Sequence, residues 1–273
     1  MEELIRKGRL FMQGHRKDDP YEETFISDQD KGLPMPPLVK PADPALPVIP
    51  LLWDFDELDL TCDLSKLMFD RKSSRIYTGD RMTLLQLSFL LWATQGVKAI
   101  RGKGYATLRT VPSGGARHEF ETYLVVSNVE GLEPGAYRYL AMDHALQYLG
   151  KVDSISETVC GMLSGQKWTA RANVVFFWAM EAYRAEWRYG IYAHRVALID
   201  AGHIGQNLYL ACTGLKLGAC GIAAISHEKC CEVFSLDGEN EFPVYAATVG
   251  TINHADDNYE EHTIYSFVYD NDL

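Results

Sequence analysis

Positive charge, paired cysteines and long apolar runs are all scarce in this 273-residue sequence. Lys and Arg number 26 against 37 Asp and Glu, a formal net charge of −11. A chain that grips nucleic acid replaces counterions on the phosphates with Lys and Arg, and the balance here is the opposite. Anionic membrane surfaces are disfavoured for the same reason. The apolar runs, such as Val174 to Met180, fall far below the roughly 20 residues that span a bilayer. MEELIRKGRLFMQGHRKDD has no uninterrupted apolar stretch and so no signal-peptide core. The six cysteines show no CxxC spacing and no disulfide framework, and the expected location is cytoplasmic, with reduced thiols.

Common catalytic signatures are missing too. Gly102-Lys103-Gly104-Tyr105 begins like a dinucleotide-binding turn but lacks the third glycine and a preceding strand. There is no Walker A loop, no HExxH and no GxSxG elbow. His194 and His203 are nine residues apart on one expected helix, on opposite faces at about 100° per residue, which argues against a shared metal. Cys230-Cys231 reads as packed thiols.

What the sequence does have is apolar mass, 47% of residues, enough for a sizeable core. Seven of the eleven prolines lie within PMPPLVKPADPALPVIP. Proline fixes φ and removes a donor, so this stretch is neither helix interior nor central strand. Its Leu38, Val39, Leu46, Val48, Ile49, Leu51, Leu52 and Trp53 are too apolar for a solvated tether, so an ordered arm is expected. The chain therefore divides into an extension over 1–52 and a main domain over 53–273.

From Thr83 the pattern turns helical, with Thr83 and Gln86 at capping-box spacing and Gly96 as the stop. Glu121 to Val129 reads as a buried strand, and Ala136–Leu140 with Ala145–Leu149 as a hairpin. Asn173–Met180 is apolar enough for a strand covered on both faces, and Val244–Val249 closes the set. Tyr192 to Leu217 reads as a helix apolar on nearly every face, hence buried on all sides. Its Gly202, Gly205 and Gly214 are best explained by another backbone approaching closely, within the subunit or across a dimer. These elements make the fold class α+β, a mixed or antiparallel sheet with flanking helices.

Two segments are candidates for ligand chemistry. In an extended Arg71-Lys72-Ser73-Ser74-Arg75, alternate side chains share a face, so Arg71, Ser73 and Arg75 point together. Two guanidinium forks and a hydroxyl suit a phosphate and the polar edge of an aromatic ring, although a short basic run is ordinarily a solvated surface. In Pro112-Ser113-Gly114-Gly115, two glycines before a strand let a ligand approach the backbone, although alone such a loop is an ordinary turn.

Order and surroundings add to these readings. RKSSRIY, TLLQLSFLLWATQG, RTVPSGGARHEFETYLVV, GLEPGAYRYLAMDHALQYLG, the YGIYAHRVALIDAGHIGQNLYLACTGLKLGACGIAAIS stretch and FPVYAATVG together resemble the nitroreductase superfamily over about residues 67 to 250. More narrowly they resemble its SagB-type dehydrogenase branch, which includes thiazoline and oxazoline oxidases. The resemblance implies a nitroreductase-like fold and a homodimer with two FMN sites, each built from both chains. It implies that Arg71, Ser73 and Arg75 bind the phosphate, ribityl chain and pyrimidine edge, and that Pro112, Ser113, Gly114 and Gly115 reach the flavin from the partner. Gly221, Ile222, Ala223 and Ala224 would lie against the flavin face. The chemistry would belong to the flavin, with no protein nucleophile. The implied activity is NAD(P)H-driven reduction of nitro compounds, quinones or similar electrophiles. The alternatives are oxidation of an azoline or other reduced substrate, and flavin binding without catalysis. One departure stands out: relatives place a Lys or Arg near the C-terminus on the phosphate, whereas here no Lys or Arg follows Lys229. Either Arg71 and Arg75 suffice with another basic residue such as Arg109 or Arg195, or FMN is held weakly. Lys103 and Tyr105 are loose counterparts of a Lys and Tyr that azoline oxidases use for proton transfer.

Overall fold

The computed structural model describes residues 1–13 and 25–253; the acidic tail from His254 lies outside the described residues. Seven strands form one sheet in which every pairing is antiparallel. They are β1 (Val48–Pro50), β4 (Phe120–Val126), β5 (Gly135–Leu140), β6 (Ala145–Gly150), β7 (Val174–Glu181), β8 (Leu217–Ile222) and β9 (Glu241–Thr251), in the spatial order β1-β6-β5-β4-β7-β9-β8. A separate hairpin joins β2 (Val97–Arg101) to β3 (Ala106–Arg109).

The central strands are apolar throughout because both faces are covered. Along β7, Val174, Phe176, Trp178 and Met180 enter one core, while Val175, Phe177 and Ala179 enter the other. The first core receives α3 (Leu84–Gln95) and α6 (Ala193–Gly214); the second receives α4 (Ile155–Met162) and α7 (His227–Phe234). The Thr83–Gln86 capping box forms as its spacing predicts, with N–H to side-chain distances of 3.1 and 3.0 Å, and α3 stops at Gly96. The α+β architecture and the hairpin stand as read from the sequence, with smaller corrections. The Glu121–Val129 strand ends at Val126, because Ser127 and Asn128 turn away to donate their N–H groups to the Asn173 carbonyl. The long helix starts at Ala193, and Leu217 already belongs to β8.

That helix is also not buried on all sides by its own chain. Leu198 is 48% exposed and Ile199 55%. With Gly202, His203 and Gln206 they form one outward stripe. Gly205 does meet close neighbours, as its Cβ would lie 2.7 Å from the Tyr245 ring, whereas Gly202 faces open space.

Proline removes ladder donors from the arm, so body side chains satisfy its carbonyls instead. Trp187 donates to Leu33 O at 3.0 Å, Arg138 to Pro41 O at 2.7 Å and Gln147 to Asp43 O at 2.8 Å. Lys40 spans the charged interior, with its N–H on Glu121 and its ammonium on Glu241. The arm ends as β1, an edge strand, where its proline is tolerated.

Candidate functional site

The segment 71–75 leaves α2 (Leu64–Asp70) and runs beside β8, where Ser74 N donates to Ala219 O at 2.9 Å and Ser73 bridges Ala219. The pleat turns Ser74 inward and leaves Ser73 and Arg75 exposed, as alternation requires. The Arg71 guanidinium lies 5.4 Å from the centre of the Tyr209 ring, and the Arg75 guanidinium 6.0 Å from that of Trp168.

Tyr209 of α6 ties two of the segments together. Its hydroxyl lies 2.9 Å from Ser73 Oγ and accepts the Gly221 N–H at 2.7 Å. Arg71, Ser73 and Gly221 are thereby one cluster, and Tyr209 is the member that sequence reading missed. As the one Phe, Tyr or Trp in α6, it had that as its single local signal. Gly221 itself is forced, since any Cβ would collide with the Tyr245 hydroxyl. Beyond it, Ala223 and Ala224 are exposed and small, so a flat ring can reach the backbone there. Ile222 is buried at 5% exposure in the second core, and its side chain turns away from that surface.

Pro112–Gly115 lies elsewhere. Gly114 N donates to Asp200 Oδ2 at 2.8 Å, and His118 N to Ser113 Oγ at 2.9 Å. Gly115 adopts φ +54°, and its Cβ would meet Arg188 Nε at 2.6 Å, so both conformation and space demand glycine. Asp200 and Tyr209 are nine residues apart on α6, about 14 Å along the axis and about half a turn around it. They flank the outward stripe of Leu198, Ile199, Gly202, His203 and Gln206. Within one chain, therefore, the Ser113–Gly115 turn and the Arg71–Ser73–Gly221 cluster do not meet.

The two arginines suggested for the phosphate have partners of their own within the chain. Arg109 is buried on Gln95 Oε1 at 2.8 Å and on Thr107 and Leu38, and its loss of hydration lowers its pKa to about 10. Arg195 donates to Met12 O near the start of α6, about 21 Å along the axis from Tyr209. Lysines are closer: a cleft of about 490 Å³ beside the 71–75 segment is lined by Lys66, Lys72, Lys216 and Ser74. Tyr105, near the tip of the β2–β3 hairpin, accepts from Arg188 at 2.8 Å and lies under the Arg117 guanidinium at 4.8 Å.

Residues 68–251 match the Nitroreductase family, and the chain belongs to it. MJ1384 of Methanocaldococcus jannaschii, named as a nitroreductase, is 31% identical over 199 residues, covering 73% of this chain and 94% of that protein. A structure from Anabaena variabilis, also named as a nitroreductase, is 26% identical with a TM-score of 0.63; the match covers 77% of this chain and 42% of that one. The trifolitoxin-processing protein TfxB of Rhizobium leguminosarum bv. trifolii is 33% identical over 114 residues, 40% of this chain and 30% of that protein. The fold is shared with the Escherichia coli microcin synthetase McbBCD complex at a TM-score of 0.59 and 17% identity, over 92% of each chain. Family membership places the chain among oxidoreductases. Among the described residues, no helix is long and apolar enough to cross a membrane.

Proposed function

We propose that this protein is an FMN-dependent oxidoreductase working as a homodimer, with NAD(P)H reducing nitro compounds, quinones or similar electrophiles. The observation that carries the reading is the Ser73–Tyr209–Gly221 link, which sets Arg71 beside a strand end whose next residues, Ala223 and Ala224, are small and exposed. FMN, when bound, accepts and donates a hydride at N5. Arg71 and Arg75 offset the charge that develops at the pyrimidine edge, a preorganised electrostatic role. Lys66, paired with Asp70, Lys216, paired with Asp59, and Lys72 line the cleft beside the 71–75 segment, where an anion would meet them. Gly221, Ala223 and Ala224 offer backbone and small side chains to the flat face, while Ile222 anchors the turn from inside.

The outward stripe of α6 supports the dimer. A second copy covering Leu198 and Ile199 would remove apolar surface from water and bring its Pro112–Gly115 turn toward the Arg71 cluster. Similarity to a trifolitoxin-processing protein favours a second direction, oxidation of a reduced substrate such as an azoline ring.

The test is reconstitution with FMN followed by visible spectroscopy, before and after anaerobic NADH or NADPH. Bleaching of a bound flavin supports the reductase. A flavin that stays oxidised moves the assignment to the second direction. Absence of any bound flavin overturns both. Tyr209→Phe removes the shared hydroxyl and is expected to weaken FMN binding about tenfold, the scale of one to two neutral hydrogen bonds.

A further inference from the structure

Glu119 precedes β4 with none of its surface exposed, and among the described residues no N–H or O–H donor bonds either carboxyl oxygen, while the Asp200 carboxyl lies within hydrogen-bond reach. A bare carboxylate in that position is strongly destabilised. The donors of the neighbouring cations go elsewhere, except the buried Arg184 Nε, which has no partner among the described residues. From α5 (Ala182–Tyr189), Arg184 donates to Glu121 Oε1 at 2.7 Å and to His118 O at 3.0 Å. From β3, Arg109 holds Gln95 and Thr107. His118 is neutral, because burial and the charge of Arg109 push its pKa down to about 3.

The acidic neighbour is Asp200 on α6, 3% exposed. It accepts Gly114 N–H at 2.8 Å, and the Ser113 hydroxyl also bonds to it. His203, half-exposed, is 3.8 Å from its other oxygen. Burial, then the Asp200 charge, raise the Glu119 pKa, and burial also raises that of Asp200 against the donors from Ser113 and Gly114. Two such carboxyls ionise together only at high cost.

We propose that Glu119 and Asp200 are positioning residues for the Ser113–Gly115 turn, holding one proton between them with Glu119 as the acid and Asp200 as the carboxylate. Asp200 then keeps its charge for Gly114 N–H and Ser113 O–H, and Glu119 donates to it in place of a missing partner. Loss of the shared proton puts a second negative charge beside Asp200, and the turn loosens. The consequence for ligand binding rests on the flavin reading above; the shared proton does not.

The experiment measures FMN affinity by flavin fluorescence in wild type, Glu119→Gln and Asp200→Asn. In parallel, infrared spectroscopy in D₂O follows the protonated-carboxyl stretch of the apoprotein. Wild-type affinity is expected to fall about tenfold between about pH 6 and about pH 8, as linkage to one proton requires. Glu119→Gln, a permanent neutral donor, binds FMN more tightly than wild type at the higher pH and shows no step. Asp200→Asn binds weakly at both. A carboxyl band that titrates in wild type and is missing from Glu119→Gln supports the pair. A wild-type pH step that survives in Glu119→Gln, or no buried carboxyl band in wild type, overturns it. If wild type binds no FMN at any pH, the flavin reading falls, and the infrared titration still decides the pair. If Glu119→Gln does not fold, the wild-type titration alone decides.

Discussion

Replacing Gly221 by alanine tests the packing that shapes the candidate site. The glycine has ordinary backbone angles, so the whole effect comes from contact: a Cβ would overlap the Tyr245 hydroxyl. Tyr245 has little room to yield. Its ring stacks on buried Trp178 with centres 5.3 Å apart, and on another side it faces Gly205 of α6, whose own Cβ would lie 2.7 Å away. Overpacking of a close-fitted interior costs about 1–3 kcal/mol, and a protein of this size loses roughly 2–4 °C in Tm per kcal/mol. Gly221→Ala is therefore expected to lower Tm by about 2–12 °C, read by differential scanning calorimetry on the apoprotein. A double-mutant cycle sharpens the test, since Tyr245→Phe removes the colliding oxygen. Alanine at 221 should then cost less in the phenylalanine background, with a coupling of at least about 0.5 kcal/mol. An unchanged Tm, or equal costs in both backgrounds, would refute the claim that Tyr245 fixes the cradle.

Two further outcomes concern the buried charges. Glu119 is raised from the ordinary carboxyl value to about 7, so between about pH 4.5 and 7 the folded protein holds a proton that the unfolded chain releases. The stabilisation present below about pH 4.5 is lost as pH rises through 7, a change of up to about 3 kcal/mol. Urea unfolding at about pH 5 and about pH 8 should show this fall in wild type and a much smaller one in Glu119→Gln; equal slopes would contradict it. Arg184→Ala strips the close cation from buried Glu121, whose carboxylate Arg184 and then Arg109 hold below its ordinary pKa against the cost of burial. An expected loss of about 3–5 kcal/mol is measurable by chemical unfolding, and a loss below about 1 kcal/mol would show that Lys40 N–H and Arg109 suffice.

Elements governed by local rules were legible in the sequence. Thr83 and Gln86 close a capping box because its geometry needs only three residues of spacing, and the expected Asn173–Met180 strand showed its two covered faces by being apolar at every position from Val174 on. The candidate site was legible in part. Alternation placed Ser73 and Arg75 outward, but Tyr209 meets Ser73 across 136 residues, and no local pattern encodes such a contact. Asp200 and Glu119 were invisible for the same reason. Arg109 was offered to a phosphate because charge alone does not reveal burial; its partners, Gln95, Thr107 and Leu38, are set by the β2–β3 hairpin and the arm. Which face of α6 its own chain leaves uncovered was not legible, because an apolar residue reads alike whether its own chain covers it or another surface does.

Helix α6 also works as a spacer of fixed length and fixed phase. The loops around it can lengthen at little cost, since loop-closure entropy grows slowly with added residues. One residue inserted between Asp200 and Tyr209 would carry the tyrosine about 1.5 Å along the axis and about 100° around it, away from both Ser73 and Gly221. Change in this protein should therefore accumulate by insertion in the β2–β3 hairpin and the arm, and by substitution alone within those nine positions.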